Sequence, residues 1–210
     1  MPARTQPRRT ARLVLAATTI IATTLSLTTL SLTACSNDDT TNKQNTTFSF
    51  YAPGGQTLIQ YPQDERKPLN NFSGESLMHP GETISLDDYD GKVLVLNAWG
   101  QWCGPCRTEV DDLETVHENI ANKGGAVLGI NVRDYSPEVA RDFLKDAGVT
   151  YDSIYDPPFK TAAALGGVPA SVIPTTIILD KQHRPAAVFL REINADEVLN
   201  IVEPLLEEQQ

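Results

Sequence analysis

Cysteine and histidine are both scarce in this chain of 210 residues, which contains only three of each. Three cysteines cannot build the network of several disulfides that holds small secreted domains together. The 14 prolines and 13 glycines are far too few for a collagen-like chain. Because 40% of the residues are hydrophobic, the chain is also too apolar to be wholly disordered. We therefore expect one globular domain with an appendage.

Basic residues are outnumbered by acidic residues, 17 to 27, which gives the chain a formal net charge of −10. A protein held to nucleic acid by phosphate contacts requires the opposite balance, so we expect no nucleic-acid partner. The basic residues are also unevenly distributed, because residues 1–34 contain four arginines and no acidic residue. The N-terminal segment therefore differs in kind from the acidic remainder.

The N-terminal segment has the three parts of an export signal. Its arginines precede a mostly apolar, uncharged run at residues 13–32, and small residues follow. Cys35 comes directly after Leu32-Thr33-Ala34, an arrangement that resembles the bacterial lipobox. The resemblance implies that the signal is removed and that Cys35 carries a lipid, which places the protein on the extracytoplasmic face of the cell membrane. The alternative is an uncleaved transmembrane anchor, since about 20 residues can just span a bilayer.

Composition divides the chain into four segments. Residues 1–34 are the predicted signal peptide with its lipobox, and residues 35–47, rich in Asn, Asp and Thr, indicate a flexible tether. Residues 48–80 carry aromatic residues among Gly and Pro, which is compatible with short strands or loops on the edge of the domain. Their structure stays open. Residues 81–210 contain the periodic patterns of a folded domain.

Hydrophobic periodicity predicts an α/β architecture for that domain. Val93–Trp99 is nearly unbroken apolar, as expected of a strand buried on both faces. An amphipathic helix follows, whose apolar stripe consists of Val110, Leu113, Val116 and Ile120. Further strands are predicted at residues 126–132, 151–155, 175–179 and 186–190, and further helices after residues 136, 159 and 194.

This order of elements predicts a mixed central β-sheet flanked by helices on both faces. The polar turn at residues 180–184 is short enough for its two strands to pair antiparallel. Asn194 and Glu197 have the spacing of a capping box at the start of the last helix. Pro204 is expected to kink or end that helix.

Cys103-Gly104-Pro105-Cys106 forms a C-x-x-C motif between the buried strand and the amphipathic helix. Such a pair can be redox-active, half of a zinc site or a structural disulfide. Zinc requires two more clustered ligands, and the three histidines are scattered singly, so we expect no metal. A structural bridge over so short a loop would add little stability. The pattern therefore favours a redox pair.

The position of Cys103 at the start of a helix indicates how that pair would react. Free N–H groups and the positive end of the helix dipole lower a thiol pKa from about 8.5 toward about 7. We expect Cys103 to be the exposed attacking thiolate and Cys106 to be the resolving thiol that breaks the mixed disulfide. Pro105 lacks an N–H, which costs nothing in a first helical turn.

The motif Trp102-Cys103-Gly104-Pro105-Cys106 after a strand, with Ile173-Pro174-Thr175 before another, resembles the thioredoxin fold. The resemblance implies that Pro174 is cis and packs against the cysteine pair, the alternative being an ordinary trans proline at a strand edge. It also implies that the client protein is contacted by four residues, namely Trp102, Gly104, Pro105 and Ile173. No cofactor is implied besides the redox-active disulfide.

A closer resemblance, over roughly residues 72–206, is to the exported, membrane-anchored TlpA/ResA branch of thioredoxin-like proteins. It rests on Val95-Leu96-Asn97, Arg107-Thr108-Glu109 and Pro174-Thr175-Thr176, and with the lipobox it is most like the actinobacterial ResA/CcsX-type lipoproteins. The resemblance implies a thiol-disulfide oxidoreductase that reduces the C-x-x-C-H thiols of apocytochrome c before haem attachment. Electrons would come from a CcdA-like membrane reductase, and we expect a monomer.

Two positions depart from the thioredoxin pattern. Cytoplasmic thioredoxins carry a buried aspartate six residues before the first cysteine, where this chain has Asn97, which cannot titrate. Glu109 matches a glutamate of the ResA branch and is expected to relay protons. The alternative is that Glu109 is a first-turn acid that complements the helix dipole. Gly104 also stands where ResA-type motifs often have an acidic residue.

The direction of electron flow depends on the residues between the cysteines. Gly-Pro resembles the reducing thioredoxins, near about −270 mV, rather than the oxidising DsbA class, near about −120 mV. This favours a reductase, and an oxidase or isomerase of exported proteins is the second hypothesis. A copper chaperone of the SCO type shares the fold but requires three residues between the cysteines. The peroxidase pattern Pro-x-x-x-Thr-x-x-Cys is absent.

Overall fold

The computed structural model describes residues 46–208 of the chain. The predicted export signal, the lipobox with Cys35 and nearly all of the predicted tether lie outside the described residues. Within residues 46–208, no helix combines the length and the apolar character needed to cross a bilayer.

A mixed sheet of eight strands forms the centre of the described chain. The strands are β1 (Leu58–Gln60), β2 (Ser73–Ser76), β3 (Thr83–Ser85), β4 (Val93–Trp99), β5 (Gly125–Asn131), β6 (Ser153–Tyr155), β7 (Thr175–Leu179) and β8 (Pro185–Phe189). Their order across the sheet is β1-β8-β7-β4-β5-β6-β2-β3. The pairs β4–β5 and β5–β6 are parallel, and all other neighbours are antiparallel. The predicted thioredoxin-like α/β fold with a mixed central sheet is therefore confirmed.

Helical segments lie on both faces of the sheet, but unevenly. The described residues contain three α-helices, α1 (Gly104–Ile120), α2 (Pro137–Asp146) and α3 (Ala195–Glu207). All three contribute side chains to the same side of the sheet. The opposite side is covered by the 3-10 helices Leu86–Tyr89 and Lys160–Ala163 and by the chain before β3.

Alternation of side chains along the strands separates the two hydrophobic cores. On one side of β4, Val95 packs with Val116 of α1 and Val202 of α3. On the other side, Leu96 packs with Phe72, which precedes β2 in the chain. Every residue of β4 and β5 is buried, because both strands lie inside the sheet and are covered on both faces.

Local capping explains where the last helix begins. The Asn194 side chain accepts a hydrogen bond from the Glu197 N–H at 3.0 Å, and the Glu197 carboxylate accepts one from the Asn194 N–H at 3.3 Å. The predicted capping box is therefore confirmed. Of the two effects predicted for Pro204, ending the helix is wrong, since α3 continues to Glu207, and a kink stays a prediction. The N–H of Glu208 still donates to the Pro204 carbonyl at 3.2 Å, which closes the final turn.

Residues 48–80 supply one strand at one edge of the sheet and another strand near the opposite edge. β1 pairs antiparallel with β8 at one edge, and β2 pairs antiparallel with β6 toward the other edge. Phe48 and Phe72 from the same segment enter the core under the sheet. The sequence left the structure of residues 48–80 open, and the segment proves to form part of the same sheet as the cysteine-bearing elements.

Candidate active site

Cys103 and Cys106 form a disulfide where the chain passes from β4 into α1. Cys103 is the N-cap residue of α1, and the N–H of Cys106 donates to its Sγ atom at 3.2 Å. Pro105 occupies the first turn of the helix, where a missing N–H leaves no helical hydrogen bond unmade. A thiolate on Cys103 would therefore have an N–H donor and the positive end of the helix dipole beside it.

Neither cysteine is exposed in the disulfide-bonded form. Cys103 is 4% and Cys106 is 3% accessible, so the prediction of an exposed Cys103 is wrong for this state. The reason is that the pair packs into a small apolar cluster with Trp99 and Leu144. The Sγ atom of Cys103 also lies 3.8 Å from the carbonyl oxygen of Ile173.

The residues predicted to contact a client surround this buried sulfur. Trp102, at 47% exposure, is the large exposed side chain next to Cys103, and Gly104 and Pro105 are exposed as well. Ile173 is half-buried, and its carbonyl oxygen is the one that lies near the sulfur. The Ile173–Pro174 peptide bond is cis, as the resemblance implied, and Pro174 is buried.

The indole of Trp102 is folded back over the residues that precede it. Its Nε1 donates to the carbonyl oxygen of Val132 at 3.0 Å. A Cβ atom on Gly100 would lie 2.3 Å from that same nitrogen, which is too short for a contact between non-bonded atoms. Glycine at position 100 is therefore what allows Trp102 to take this position.

Glu109 lies inside the protein and beyond the first turn of α1, so the alternative in which it is a first-turn acid is wrong. The residue is 1% exposed. One carboxylate oxygen accepts from the Asn97 side-chain amide at 2.8 Å, and the other accepts from the Ile193 N–H at 3.0 Å. Burial raises the pKa of Glu109 to about 7, because the loss of hydration outweighs these two donors.

Asn97 connects this carboxyl group to the strand that follows Pro174. Its side-chain amide donates both to Glu109 and to the hydroxyl of Thr176, the latter at 3.1 Å. From the sequence, Asn97 was recognised only as a departure from the thioredoxin pattern, and its hydrogen bonds were not predicted. Its contact with Glu109 could have been expected, because Glu109 lies three residues from Cys106 and four from Leu113, on the buried stripe of the helix.

A second set of residues at this site, in the connection between β5 and α2, was not predicted from the sequence. The carboxylate of Asp134 accepts from the Gln101 N–H and from the Asn131 side-chain amide, both at 2.7 Å. The available signal was topological, since the carboxyl ends of adjacent parallel strands meet at one edge of a sheet. Trp99 and Asn131, the last residues of β4 and β5, are indeed paired.

Metal ligands are not brought together in this part of the chain. Among residues 46–208, no cluster of three or more His, Cys, Asp or Glu side chains is placed to hold a metal ion. The chemical groups at the site are a disulfide at a helix N-terminus, a buried carboxyl group and a partly apolar rim.

Comparison with known proteins places this geometry in a family. Residues 66–184 match the sequence model described as the AhpC/TSA family. The thiol-disulfide oxidoreductase ResA of Bacillus subtilis is 26% identical over 127 residues, covering 59% of this chain and 69% of that protein. The thiol:disulfide interchange protein DsbE of Allochromatium vinosum is 32% identical over 141 residues, covering 65% and 74%.

Two solved structures are considerably more similar. A secreted thiol-disulfide isomerase from Corynebacterium glutamicum is 58% identical, covers 77% of this chain and 99% of its own, and superposes with a TM-score of 0.76. A DsbF homologue from Corynebacterium diphtheriae is 60% identical, covers 75% and 99%, and has a TM-score of 0.72. The predicted resemblance to exported thioredoxin-like proteins of the ResA type is confirmed.

Proposed function

The chain belongs to the AhpC/TSA family of thioredoxin-like proteins and is a thiol-disulfide oxidoreductase, and on this premise we propose that it exchanges disulfides with exported client proteins. The observation that supports this proposal is the cysteine pair at the start of α1, where the Cys106 N–H donates to the Sγ of Cys103. We place the protein on the extracytoplasmic face of the cell membrane, tethered through a lipid on Cys35. The lipobox resemblance supports the tether.

Exchange begins with the reduced pair and a client disulfide. The Cys103 thiolate attacks one client sulfur, a new S–S bond forms, and the other client sulfur leaves as a thiolate that takes up a proton. The Cys106 thiol then loses its proton and attacks the Sγ of Cys103. This restores the Cys103–Cys106 disulfide and releases the second client sulfur as a thiolate. Two electrons pass from the protein to the client.

We propose that the carboxyl group of Glu109 accepts the proton that the Cys106 thiol loses. It lies three residues further along α1, which places the two side chains on the same helix face. Because burial raises the pKa of Glu109 to about 7, its carboxyl group can accept or return a proton near neutral pH. Asn97 and Ile193 hold the carboxyl group in place through their N–H donors.

The first candidate for the direction of exchange is reduction. The Gly-Pro pair between the cysteines resembles reducing thioredoxins, and the relatives named ResA are consistent with this use. The resemblance then suggests the C-x-x-C-H thiols of apocytochrome c as the client. An exported reductant needs a source of electrons, for which we propose a CcdA-like membrane protein.

The second candidate is oxidation or isomerisation of exported proteins. It is favoured by the two corynebacterial proteins, described as a secreted isomerase and a DsbF homologue, whose identities of 58% and 60% exceed that of any ResA protein named above. The same cysteine pair serves either use, because an isomerase also begins with attack by a reduced Cys103 and an oxidase runs the sequence in reverse.

Trapping of the client tests the proposal. Cys106→Ser in the full chain cannot resolve the mixed disulfide, so client proteins should accumulate on Cys103 and can be identified by mass spectrometry. The control is the double variant with Cys103→Ser, which should trap nothing. Absence of any exported protein on Cys106→Ser would overturn the exchange proposal. Trapped cytochromes support the first candidate, and other disulfide-containing exported proteins support the second.

The reduction potential of the pair separates the two directions independently. Equilibration with dithiothreitol buffers should give a value toward the thioredoxin end of the scale if the protein is a reductase. A value above about −150 mV, near the DsbA end, excludes the reductase and leaves the oxidase.

A further inference from the structure

The connection between β5 and α2 holds the cysteine-bearing segment from one side. The N–H of Val132 donates to the carbonyl of Trp99 at 2.8 Å, and the carbonyl of Val132 accepts from the Trp102 indole at 3.0 Å. Two residues later, the carboxylate of Asp134 accepts from the Gln101 N–H at 2.7 Å. The backbone on either side of residue 133 is therefore fixed relative to the residues that lead into Cys103.

Arg133, between these two anchors, has an unusual backbone conformation. Its φ of 57° lies in the left-handed region, which residues other than Gly, Asn and Asp rarely adopt. The N–H of Arg133 donates to the carbonyl of Pro157 at 3.0 Å, which helps to hold the conformation. The neighbouring contacts thus impose a direction on the Arg133 side chain.

The guanidinium group of Arg133 contacts both sides of the active-site rim. Its central carbon lies 5.7 Å from the centroid of the Trp102 ring, within the range of a cation–π interaction. One of its nitrogens donates to the carbonyl oxygen of Ala170. Trp102 precedes Cys103 in the chain, whereas Ala170 belongs to the segment that leads to Pro174.

Hydrogen bonds also hold the segment at residues 169–175, which extends from Ala170 to the neighbourhood of the Cys103 sulfur. The N–H of Val172 donates to the Pro169 carbonyl at 3.1 Å, and the Thr175 hydroxyl donates to the Val172 carbonyl at 2.8 Å. Between these bonds lies Ile173, whose carbonyl oxygen is 3.8 Å from the Sγ of Cys103. A displacement at residue 170 is therefore transmitted to the wall that faces the reactive sulfur.

We propose that Arg133 is a positioning residue that sets the separation between Trp102 and the segment at residues 169–173, and thereby favours client proteins over small disulfides. A client polypeptide bonded to Cys103 must fit between these two walls, whereas a small disulfide needs only the sulfur. The inference rests on the proposed function, because it requires clients that are proteins. The N–H of Cys106, which stabilises the thiolate, has no contact with Arg133 and stays intact without it.

The test compares a protein disulfide with a small one. Arg133→Asn keeps a residue that tolerates positive φ but is too short to reach Ala170. Its control is Arg107→Gln, which removes the charge of another exposed arginine near the pair, one that lies over the Phe143 ring. The substrates are insulin and the uncharged hydroxyethyl disulfide, each assayed with the full chain.

We expect Arg133→Asn to lower kcat/KM for insulin about tenfold, mainly through KM, since small displacements of a binding wall have effects of this order. Turnover of hydroxyethyl disulfide should change by less than about twofold, and Arg107→Gln should leave the ratio of the two activities unchanged. Arg133→Lys keeps the charge but not the planar group, so it should restore only part of the insulin activity.

In a variant that stays folded, tryptophan fluorescence gives a readout of the position of Trp102 itself. The chain has two tryptophans, of which Trp99 is buried and Trp102 is half-exposed, so acrylamide quenching reports mainly on Trp102. Quenching should increase in Arg133→Asn. Should this variant fail to fold, Arg133→Lys carries the same comparison.

Two outcomes overturn the inference: an equal loss of activity with both disulfides, or unchanged insulin activity in Arg133→Asn and Arg133→Lys. A different result addresses the proposed function. If the unaltered protein turns over hydroxyethyl disulfide but not insulin, the failure lies in the proposal that clients are proteins, and the role of Arg133 in selecting them falls with it.

Discussion

The side-chain amide of Asn97 donates a hydrogen bond to Glu109 across 2.8 Å, and both residues are 1% exposed. Asn97 belongs to the central strand β4 and Glu109 to α1, so the bond joins sheet and helix one turn beyond Cys106. Cytoplasmic thioredoxins, by the resemblance given above, have their buried acid on the strand. Here the acid is on the helix, and the strand supplies a neutral donor that holds it.

The raised pKa of Glu109 makes stability depend on pH. The folded protein keeps this proton up to a pKa of about 7, whereas the unfolded chain releases it near the ordinary value of 4.5. Stability from this group is therefore complete below pH 4.5 and falls as pH rises through 7, by at most about 3 kcal/mol. The glutamine side chain in Glu109→Gln cannot ionise, so this variant does not lose that stability. The free energy of unfolding of the variant, relative to that of the unaltered protein, should therefore increase between pH 4.5 and 7. Urea titrations at pH 4, 6 and 8 check this, and a constant difference across that range contradicts it.

The same substitution should slow the step in which Cys106 resolves the mixed disulfide. Without the Glu109 carboxyl group, the thiol of Cys106 has to lose its proton to water. Stopped-flow measurements should show a slower resolution rate in Glu109→Gln, and the pH dependence near 7 should disappear. Attack by Cys103 on the client disulfide serves as the internal control. Identical pH profiles in both proteins would mean that Glu109 only supports the fold.

Asn97→Asp should be destabilising in a pH-dependent manner. It replaces an N–H donor with a second carboxyl group less than about 3 Å from Glu109, and two carboxylates so close cannot both ionise. We expect a loss of about 2–4 kcal/mol at pH 8 and a smaller loss at pH 5. Chemical denaturation at the two pH values measures it. Asp and Asn have nearly the same shape, so a steric effect should be small. A loss of stability that is equal at both pH values would contradict the prediction.

Gly100→Ala should displace the indole of Trp102. The added methyl group would lie 2.3 Å from Nε1 of Trp102 and 2.9 Å from the carbonyl oxygen of Val132, and the carbonyl belongs to fixed backbone. We expect a shift in fluorescence and a lower melting temperature. Gly104→Ala is the matched control, since nothing lies within 4 Å of its added methyl group and alanine favours a helix. Unchanged fluorescence in Gly100→Ala would place Trp102 elsewhere in solution.

The two thiols of the reduced protein should differ in reactivity. Cys103 caps α1 and receives the Cys106 N–H, so iodoacetamide at mildly acidic pH should alkylate Cys103 first. Peptide mapping after short exposures measures both rates. Equally slow labelling of Cys103 and Cys106 would indicate a structural crosslink rather than a redox pair.

The elements that could be predicted from sequence are those whose signals are local. Val93–Trp99 is a continuous apolar run, and the structure buries all of it in the middle of the sheet. The start of α1 at the cysteine pair and the capping box of α3 depend on residues within one turn of each other. Such patterns can be recognised in the sequence because the residues that interact are only a few positions apart.

The parts that could not be predicted depend on distant partners. β2 (Ser73–Ser76) is polar and contains a glycine, and it forms a strand because it pairs with β6, which is distant in the sequence, on one side and with β3 on the other. Likewise, Arg133 has no local feature that links it to Ala170, 37 residues away. The burial of Cys103 follows from packing against Leu144 and its neighbours, which a motif of five residues does not encode.

The strands that residues 48–80 contribute have a practical consequence for truncation. The region shared with the family sequence model begins at residue 66 and stops at 184, so it leaves out β1, β8 and α3. A fragment with those limits would expose the edge of β7 that pairs with β8 and would lose α3, which packs with α1 on one side of the sheet. Such an edge recruits strands from other molecules, and precipitation is the expected fate. The smallest fragment worth expressing therefore starts before Phe48, whose side chain belongs to the core, and retains Glu207.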